Sequence, residues 1–321
     1  ALSWFDPADG AWRHVTSVGP GGNPANGPQT EQITALAIDP RDGSVWAGTW
    51  LRGLYRFDGE DWHWYTPQGG LCGKSITALA AVGTALWAAC ADEQGAVGTA
   101  RYDGSRWASS PTAPGAPTIT AIAGAAGRVW FGAGTSSRDG GGLSTRDGGP
   151  ARTLSTAGRT PAVNDITAVV LDRAGRVWAG TRGFGALGFH RRRRGPETPP
   201  STGGRLPGDA VTDLAVAGDT LWVATTKSVF DGQRWTDGGV SSLDTASGRW
   251  RAPLRRGADA VPDSDVGSVL AGPDGRVWIG LGASPDGPGA SGTTSRGDGM
   301  VVYDPLADTF APLRYDTTSG G

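Results

Sequence analysis

The 321-residue chain carries 29 Lys and Arg against 31 Asp and Glu, a net charge of −2, so it has no bulk attraction for nucleic acid or an anionic membrane surface. Gly stands at 54 and Pro at 22, charged residues make up only 19%, and no long stretch has helical periodicity; this excludes a helical bundle and points to an all-β chain of many short strands. No segment is long and apolar enough to span a bilayer as a helix, so direct membrane insertion is not expected.

In chain order, residues 2–15 (LSWFDPADGAWRHV) read as two short strands around a turn carrying Asp6 and Gly10. A Gly/Pro/Asn-rich connector covers 16–32. Residues 33–49 (ITALAIDPRDGSVWAGT) then set the pattern for the rest. The run 33–38 is apolar with one Thr. Asp39-Pro40-Arg41-Asp42-Gly43 is turn chemistry, because Pro presets φ and Gly accepts positive φ. Residues 45–49 are β-branched and aromatic. Together they make a β-hairpin. Its first strand does not alternate apolar with polar, so it is expected to be covered on both faces. A second, more mixed hairpin follows from Gly53 to Tyr65, with Asp58-Gly59 at its turn.

The same unit returns as ITALAAVGTALWAAC (76–90), ITAIAGAAGRVWFGAG (119–134), ITAVVLDRAGRVWAGT (166–181), VTDLAVAGDTLWVATT (211–226) and VGSVLAGPDGRVWIGLG (266–282). The starts are 43, 43, 47, 45 and 55 residues apart. A four-stranded propeller blade repeats every 40–50 residues or so, and one such sheet cannot bury its own faces without neighbours. The reading is a single all-β propeller domain over 1–321, with four-stranded antiparallel blades at 33–66, 76–110, 119–155, 166–198, 211–253 and 266–314 and an outer hairpin at 1–15. Six first hairpins against seven outer ones point to a seven-bladed plan. Six blades with an accessory N-terminal hairpin is the alternative. Trp46, Trp87, Trp130, Trp178, Trp222 and Trp278 hold the same place in each unit. A flat indole buries of order 200 Å², which reads as packing between blades; a Trp-lined ligand cage is the sharper alternative.

The string I-T-A-L-A-x-D-x-x-G-x-V-W-x-G-T, followed by G-L-x-x-F/Y-D-G and a Trp, resembles the two-component regulator propeller repeat. The resemblance covers nearly the whole chain. It implies a ligand-binding, sensor-like propeller, often an extracytoplasmic part of a bacterial histidine kinase. This chain shows no transmembrane helix and no kinase or regulator segment. It begins with Ala and has no signal peptide, which we read as removal of a leader, with an extracellular or periplasmic location expected.

In a propeller, the segments that lead into the first strand and out of the second meet at one face near the axis. That mouth would gather Trp50, Arg52, Asp165, Arg182, Asp209 and Asp265, with Glu31, Ser75, Asp263, Arg138 and Lys227 around them. A concave mixture of carboxylates, guanidinium groups and an exposed Trp suits a small polar ligand or a peptide end. Ordinary solvated loop residues are the bland alternative. Long Gly/Ser/Asp-rich inserts at 226–238 and 282–298 would overhang the same face.

Cys72 and Cys90 flank the first hairpin of the second unit, where antiparallel pairing brings the two ends together. A disulfide fits an oxidising compartment, and two reduced thiols is the alternative. Arg191, Arg192, Arg193 and Arg194 replace an outer turn, either as a solvated loop or as an anion or partner patch. The Asp-Pro-x-Asp-Gly segments at Asp6 and Asp39 resemble fragments of calcium loops but lack the full spacing. No cofactor is expected, with adventitious calcium the one exception allowed.

His14, His63 and His190 all fall in outer hairpins, and no nucleophile, zinc-protease or phosphate-loop motif is present. Non-enzymatic binding of a ligand or another protein is therefore the leading reading. Self-assembly through unpaired blade edges is the second. A secreted hydrolase or lyase using axial carboxylates is the third.

Overall fold

The structure, a computed structural model, describes residues 2–6, 11–15, 17–91, 97–111, 118–125, 127–134, 141–146, 152–154, 165–189, 196–197, 206–226, 228–229, 235–236, 238–254, 266–281 and 300–313. Asp265, Asp263, Arg138, Lys227, His190, the run Arg191 to Arg194 and the insert 282–298 lie outside them, as does the His14 side chain. Two compact units divide the chain, Ala1–Asp165 and Ile166–Gly321. No helix is long and apolar enough to cross a membrane among the described residues.

In the first unit, β1 (Leu2–Asp6) pairs with β2 (Ala11–Val15) as a separate hairpin. Three four-stranded antiparallel meanders follow. Sheet one is β3 (Ile33–Ile38), β4 (Val45–Thr49), β5 (Leu54–Phe57) and β6 (Trp62–Tyr65). Sheet two is β7 (Ser75–Val82), β8 (Ala85–Ala91), β9 (Val97–Tyr102) and β10 (Trp107–Pro111). Sheet three is β11 (Thr118–Ala125), β12 (Arg128–Gly134), β13 (Gly142–Arg146) and β14 (Arg152–Leu154).

The second unit repeats the plan. Sheet four is β15 (Ile166–Leu171), β16 (Val177–Thr181), β17 (Ala186–Phe189) and β18 (Pro196–Glu197). Sheet five begins with β19 (Ala210–Ala217) and β20 (Thr220–Thr226). Its insert forms a small hairpin of its own, β21 (Ser228–Val229) with β22 (Trp235–Thr236), before β23 (Gly239–Asp244) and β24 (Arg249–Trp250) complete the sheet. Sheet six is β25 (Val266–Ala271), β26 (Val277–Leu281), β27 (Met300–Asp304) and β28 (Thr309–Leu313).

One irregularity recurs in all six sheets. The first strand is bulged after its first Ile or Val, at Thr34, Thr77, Thr120, Thr167, Thr212 and Gly267. A bulge turns one side chain out of the alternation. Thr34 uses this to donate to the Ile76 carbonyl at 2.5 Å, Thr167 to Val211 at 2.7 Å and Thr212 to Val266 at 2.8 Å. Each bond ties one sheet to the next at the same motif position. The Gly of W-A-G-T serves the same junction. A Cβ at Gly48 would stand 2.6 Å from Ile76 Cγ2, and one at Gly180 would stand 2.4 Å from Val211 Cγ1.

The repeated Trp residues are core. Trp46 packs edge-on to Tyr102 and Trp107 of sheet two, with ring centroids 5.1 and 5.6 Å away. Trp222 meets Tyr303 at 5.9 Å. Trp87, Trp130 and Trp178 are buried too, while Trp278 is only half-buried. The expectation that the first strand of the unit is covered on both faces fails in sheet one. There Leu36 and Ile38 stand 54% and 58% exposed on β3, and in sheet six Leu270 stands 65% exposed on β25.

Candidate functional site: the rim loops between first and second hairpins

The five residues Thr49-Trp50-Leu51-Arg52-Gly53 carry the chain from the last position of β4 into β5. Thr49 closes the loop on itself, its amide and hydroxyl both donating to the Gly53 carbonyl at 3.1 and 2.7 Å. Three further amides are satisfied from outside. Trp50 N–H donates to the Gln32 carbonyl at 3.1 Å, Leu51 N–H to Ser75 Oγ at 3.1 Å, and Gly53 N–H to the Lys74 carbonyl at 2.7 Å. Leu51 sits at φ 62°, a left-handed conformation that costs a side-chain-bearing residue of order 1 kcal/mol and persists only where its surroundings hold it. Gly53 is required at its place, since a Cβ would lie 2.4 Å from the Tyr65 carbonyl. This frame leaves Trp50 49% exposed and Arg52 in solvent. The exposed indole of Trp64 stacks against Tyr55, with centroids 6.3 Å apart, and donates to the Arg52 carbonyl at 2.7 Å.

The second unit builds the same loop from Thr181-Arg182-Gly183-Phe184-Gly185 between β16 and β17. Thr181 amide and hydroxyl donate to the Gly185 carbonyl at 3.0 and 2.8 Å, and Gly185 N–H donates to the Asp209 carbonyl at 2.9 Å. Phe184 N–H donates to Thr181 Oγ1 at 2.9 Å. Arg182 and Phe184 are exposed. Asp209 is half-buried, and that burial raises its carboxyl above the usual carboxylate range. Asp165, also half-buried, stands immediately before β15.

Trp50 and Arg52 thus share one loop, and Arg182 shares another with a segment hydrogen-bonded to Asp209. Sequence reading missed Phe184 and Trp64. Aligning TRGFG with TWLRG supplies the signal for Phe184, which takes the place of Arg52.

Cys72 and Cys90 form a disulfide with Cα atoms 5.5 Å apart. β8 continues through Cys90 to Ala91, so the bridge ends inside a strand and not beyond it. Gly73 next to it has no room for a side chain, since a Cβ would be 2.7 Å from the Ala91 carbonyl. The bridge pins the segment whose Lys74 carbonyl and Ser75 hydroxyl hold the 49–53 loop.

The turn at Asp39 has no capacity left for a cation. Its Oδ1 accepts from the Arg41 amide and Nε at 3.0 and 2.8 Å, and its Oδ2 from Arg41 NH2 and Trp46 Nε1 at 2.5 and 3.3 Å. Asp42 is taken by Arg56 at 2.6 Å. No group of three acidic, His or Cys side chains that could hold a metal occurs among the described residues. An open cleft of about 580 Å³ is lined by residues 247–253, around β24.

Four-stranded antiparallel meanders, each packed on the next within its unit, define a protein of the β-propeller class. The comparisons with known proteins agree. The chain is similar to the extracellular domain of the hybrid two-component system BT3049 from B. thetaiotaomicron, at 17% identity over 77% of this chain and 32% of that one, with a TM-score of 0.56. That likeness agrees with the resemblance of the repeat to the two-component regulator propeller. The chain is also similar to the GH74 enzyme of Niastella koreensis, at 15% identity over 77% of this chain and 40% of that one, TM-score 0.58. The WD40 domain of Neurospora crassa Pan2 matches at 13% identity, covering 87% of this chain and 88% of that one, TM-score 0.51. The chain spans about a third of the length of the sensor domain and two fifths of the enzyme. No protein-family model matches it, and no curated relative matches it. At these identities the shared feature is the fold.

Proposed function

We propose that this protein is a non-enzymatic, extracytoplasmic propeller of the sensor type that takes a small polar ligand or a peptide end on its rim loops. The observation that carries this reading is the same five-residue loop built twice. Each copy is closed by a Thr and tied to the next sheet, and each holds an aromatic and an Arg in solvent: Trp50 with Arg52, and Phe184 with Arg182. A rigid frame presenting a cation beside an apolar surface binds with little loss of side-chain freedom. The Cys72–Cys90 bridge supports a location outside the reducing cytosol. The unchanged repeat on both sides of Asp165 supports one domain, which calorimetry would report as a single transition. Seven blades remains our reading of the outer hairpin at 2–15.

The test is a thermal-shift screen of amino acids, short peptides and oligosaccharides. A hit that disappears in Trp50→Ala or Arg182→Ala, with the unliganded melting temperature unchanged, supports the reading. Hits indifferent to both substitutions overturn it. A hydrolase reading draws on Asp209, whose burial favours the protonated form a general acid needs. Turnover of a glycan that is lost in Asp209→Asn with the fold intact would select it instead.

A further inference from the structure

We infer that the rim loop of sheet one takes small dianions, with the Lys74 side chain as the second cation beside Arg52. This ligand class rests on the function proposed for that loop and makes it specific.

The two rim loops share a frame and differ in charge. In both, the amide of the closing glycine donates to a carbonyl just ahead of the next sheet's first strand motif. Gly53 N–H reaches the Lys74 carbonyl at 2.7 Å, and Gly185 N–H reaches the Asp209 carbonyl at 2.9 Å. Lys74 stands two residues before Ile76, and Asp209 two residues before Val211, so they hold one framework position. The backbone makes the bond, and the frame places no demand on the side chain there. Sheet one puts an ammonium at that position, next to a loop that carries Arg52. Sheet four puts a carboxyl there, next to a loop that carries Arg182. One loop gathers like charges and the other gathers opposite charges.

The segment that presents Lys74 is held on both sides. Cys72 is bridged to Cys90, and Gly73 is closed in against the Ala91 carbonyl. Buried Ser75 accepts the Leu51 amide on its hydroxyl at 3.1 Å. Between buried Gly73 and Ser75, Lys74 is turned into solvent, as Arg52 is on the loop. Arg41, Arg56 and Arg176 each hold a carboxylate. Among the described residues, neither Arg52 nor Lys74 holds one. Glu31, next to the Gln32 carbonyl that receives Trp50 N–H, has a partner of its own.

Two cations kept at one corner without a counter-charge repel each other, and a ligand with two negative charges removes that repulsion. Trp50, half exposed on the same loop, offers an apolar wall to the carbon skeleton between the charges. Dicarboxylates and phosphate monoesters share this chemistry.

The probes are succinate and glycerol 3-phosphate, titrated into the full chain by calorimetry at low salt. Acetate and succinamide are the singly charged and neutral comparators. We expect saturable binding of a dianion, weaker binding of acetate and none of succinamide. The preference between the two dianions identifies which source supplies the charge. Lys74→Gln should weaken dianion binding by about fivefold, the upper end for an exposed ion pair, and Lys74→Arg should restore it. Both variants keep the carbonyl that holds Gly53, so their melting curves should match the parent. Arg182→Gln should leave dianion binding as it is. Absence of dianion binding at millimolar concentration overturns the inference, as does binding that ignores Lys74→Gln or succinamide that binds as well as succinate. A neutral or cationic ligand whose binding depends on Trp50 also overturns it and leaves the rim-loop function standing. No Trp50-dependent or Arg182-dependent ligand of any charge would overturn both.

Discussion

The indole nitrogen of Trp46 donates to the buried carboxylate of Asp39 at 3.3 Å, so the turn that ends the first strand is fastened to the residue that packs the second. Arg41 completes the arrangement. It binds the same carboxylate, and its guanidinium lies 5.0 Å above the Tyr102 ring of sheet two. The Arg41 hydrogen bond holds the Asp39 carboxyl down to about 2. A depressed folded-state value means that the stabilisation is present above the unfolded value near 4 and is lost as pH falls toward 2. Its size is about 2 kcal/mol. Asp39→Asn should unfold at lower urea than the parent at pH 6. The gap should narrow by about that amount on going to pH 2, which urea titrations of both proteins at each pH would record.

Asp213 should behave in the opposite sense. Burial pushes its carboxyl upward, although it accepts from the Val269 amide at 3.0 Å and the Leu214 amide at 2.8 Å. A raised carboxyl favours the protonated form in the fold, so ionisation at neutral pH works against folding. Asp213→Asn keeps an oxygen for Val269. Its melting temperature should exceed that of the parent at pH 7, and the advantage should shrink as the pH drops through the carboxylate range. A fall in melting temperature at pH 7 would contradict this.

The bulge threonines allow a paired comparison. Thr167 donates to the Val211 carbonyl, whereas Thr77 Oγ1 is buried without a hydrogen-bond partner among the described residues. Thr167→Val should cost about 1 kcal/mol or more, since it leaves a carbonyl unpaired. Thr77→Val should be neutral or stabilising. Chemical denaturation of the two variants side by side distinguishes them.

Removing the bridge should do more than lower stability. Cys72 and Cys90 are 18 residues apart, a loop for which chain entropy gives about 3 kcal/mol. A Cys72→Ser, Cys90→Ser double variant should melt lower by that amount. It should also exchange its Leu51 and Gly53 amides faster, because their acceptors at Ser75 and Lys74 sit beside the bridge.

The repeat, its four-strand content and the packing role of the tryptophans were legible because they rest on local pattern. From the unit at Ile33 to the unit at Val266, the second-strand Trp follows the start by 11 to 13 residues and a turn Gly precedes that Trp by three or four. The loop at Trp50 and Arg52 was legible as a position, but its shape was not. Leu51 gives no hint of its left-handed backbone, and the groups that hold it lie more than 20 residues away at Lys74 and Ser75. The bulge was hidden for a similar reason, since Thr34 looks like any β-branched strand residue until the Ile76 carbonyl is placed beside it. The exposure of Leu36 and Ile38 was misjudged because an apolar run records what a strand is suited to touch and not how much of it its own sheet leaves open.

The dependence of Leu51 on Ser75 sets an order of assembly. A lone copy of the motif, made by itself, would lack the hydroxyl that fixes the loop in its unfavourable twist, so Trp50 would wander. Maturation of that corner has to wait for the following segment to emerge and settle against it. Gene duplication that shuffled single copies would scramble such corners, while exchange of adjacent pairs would carry them across whole.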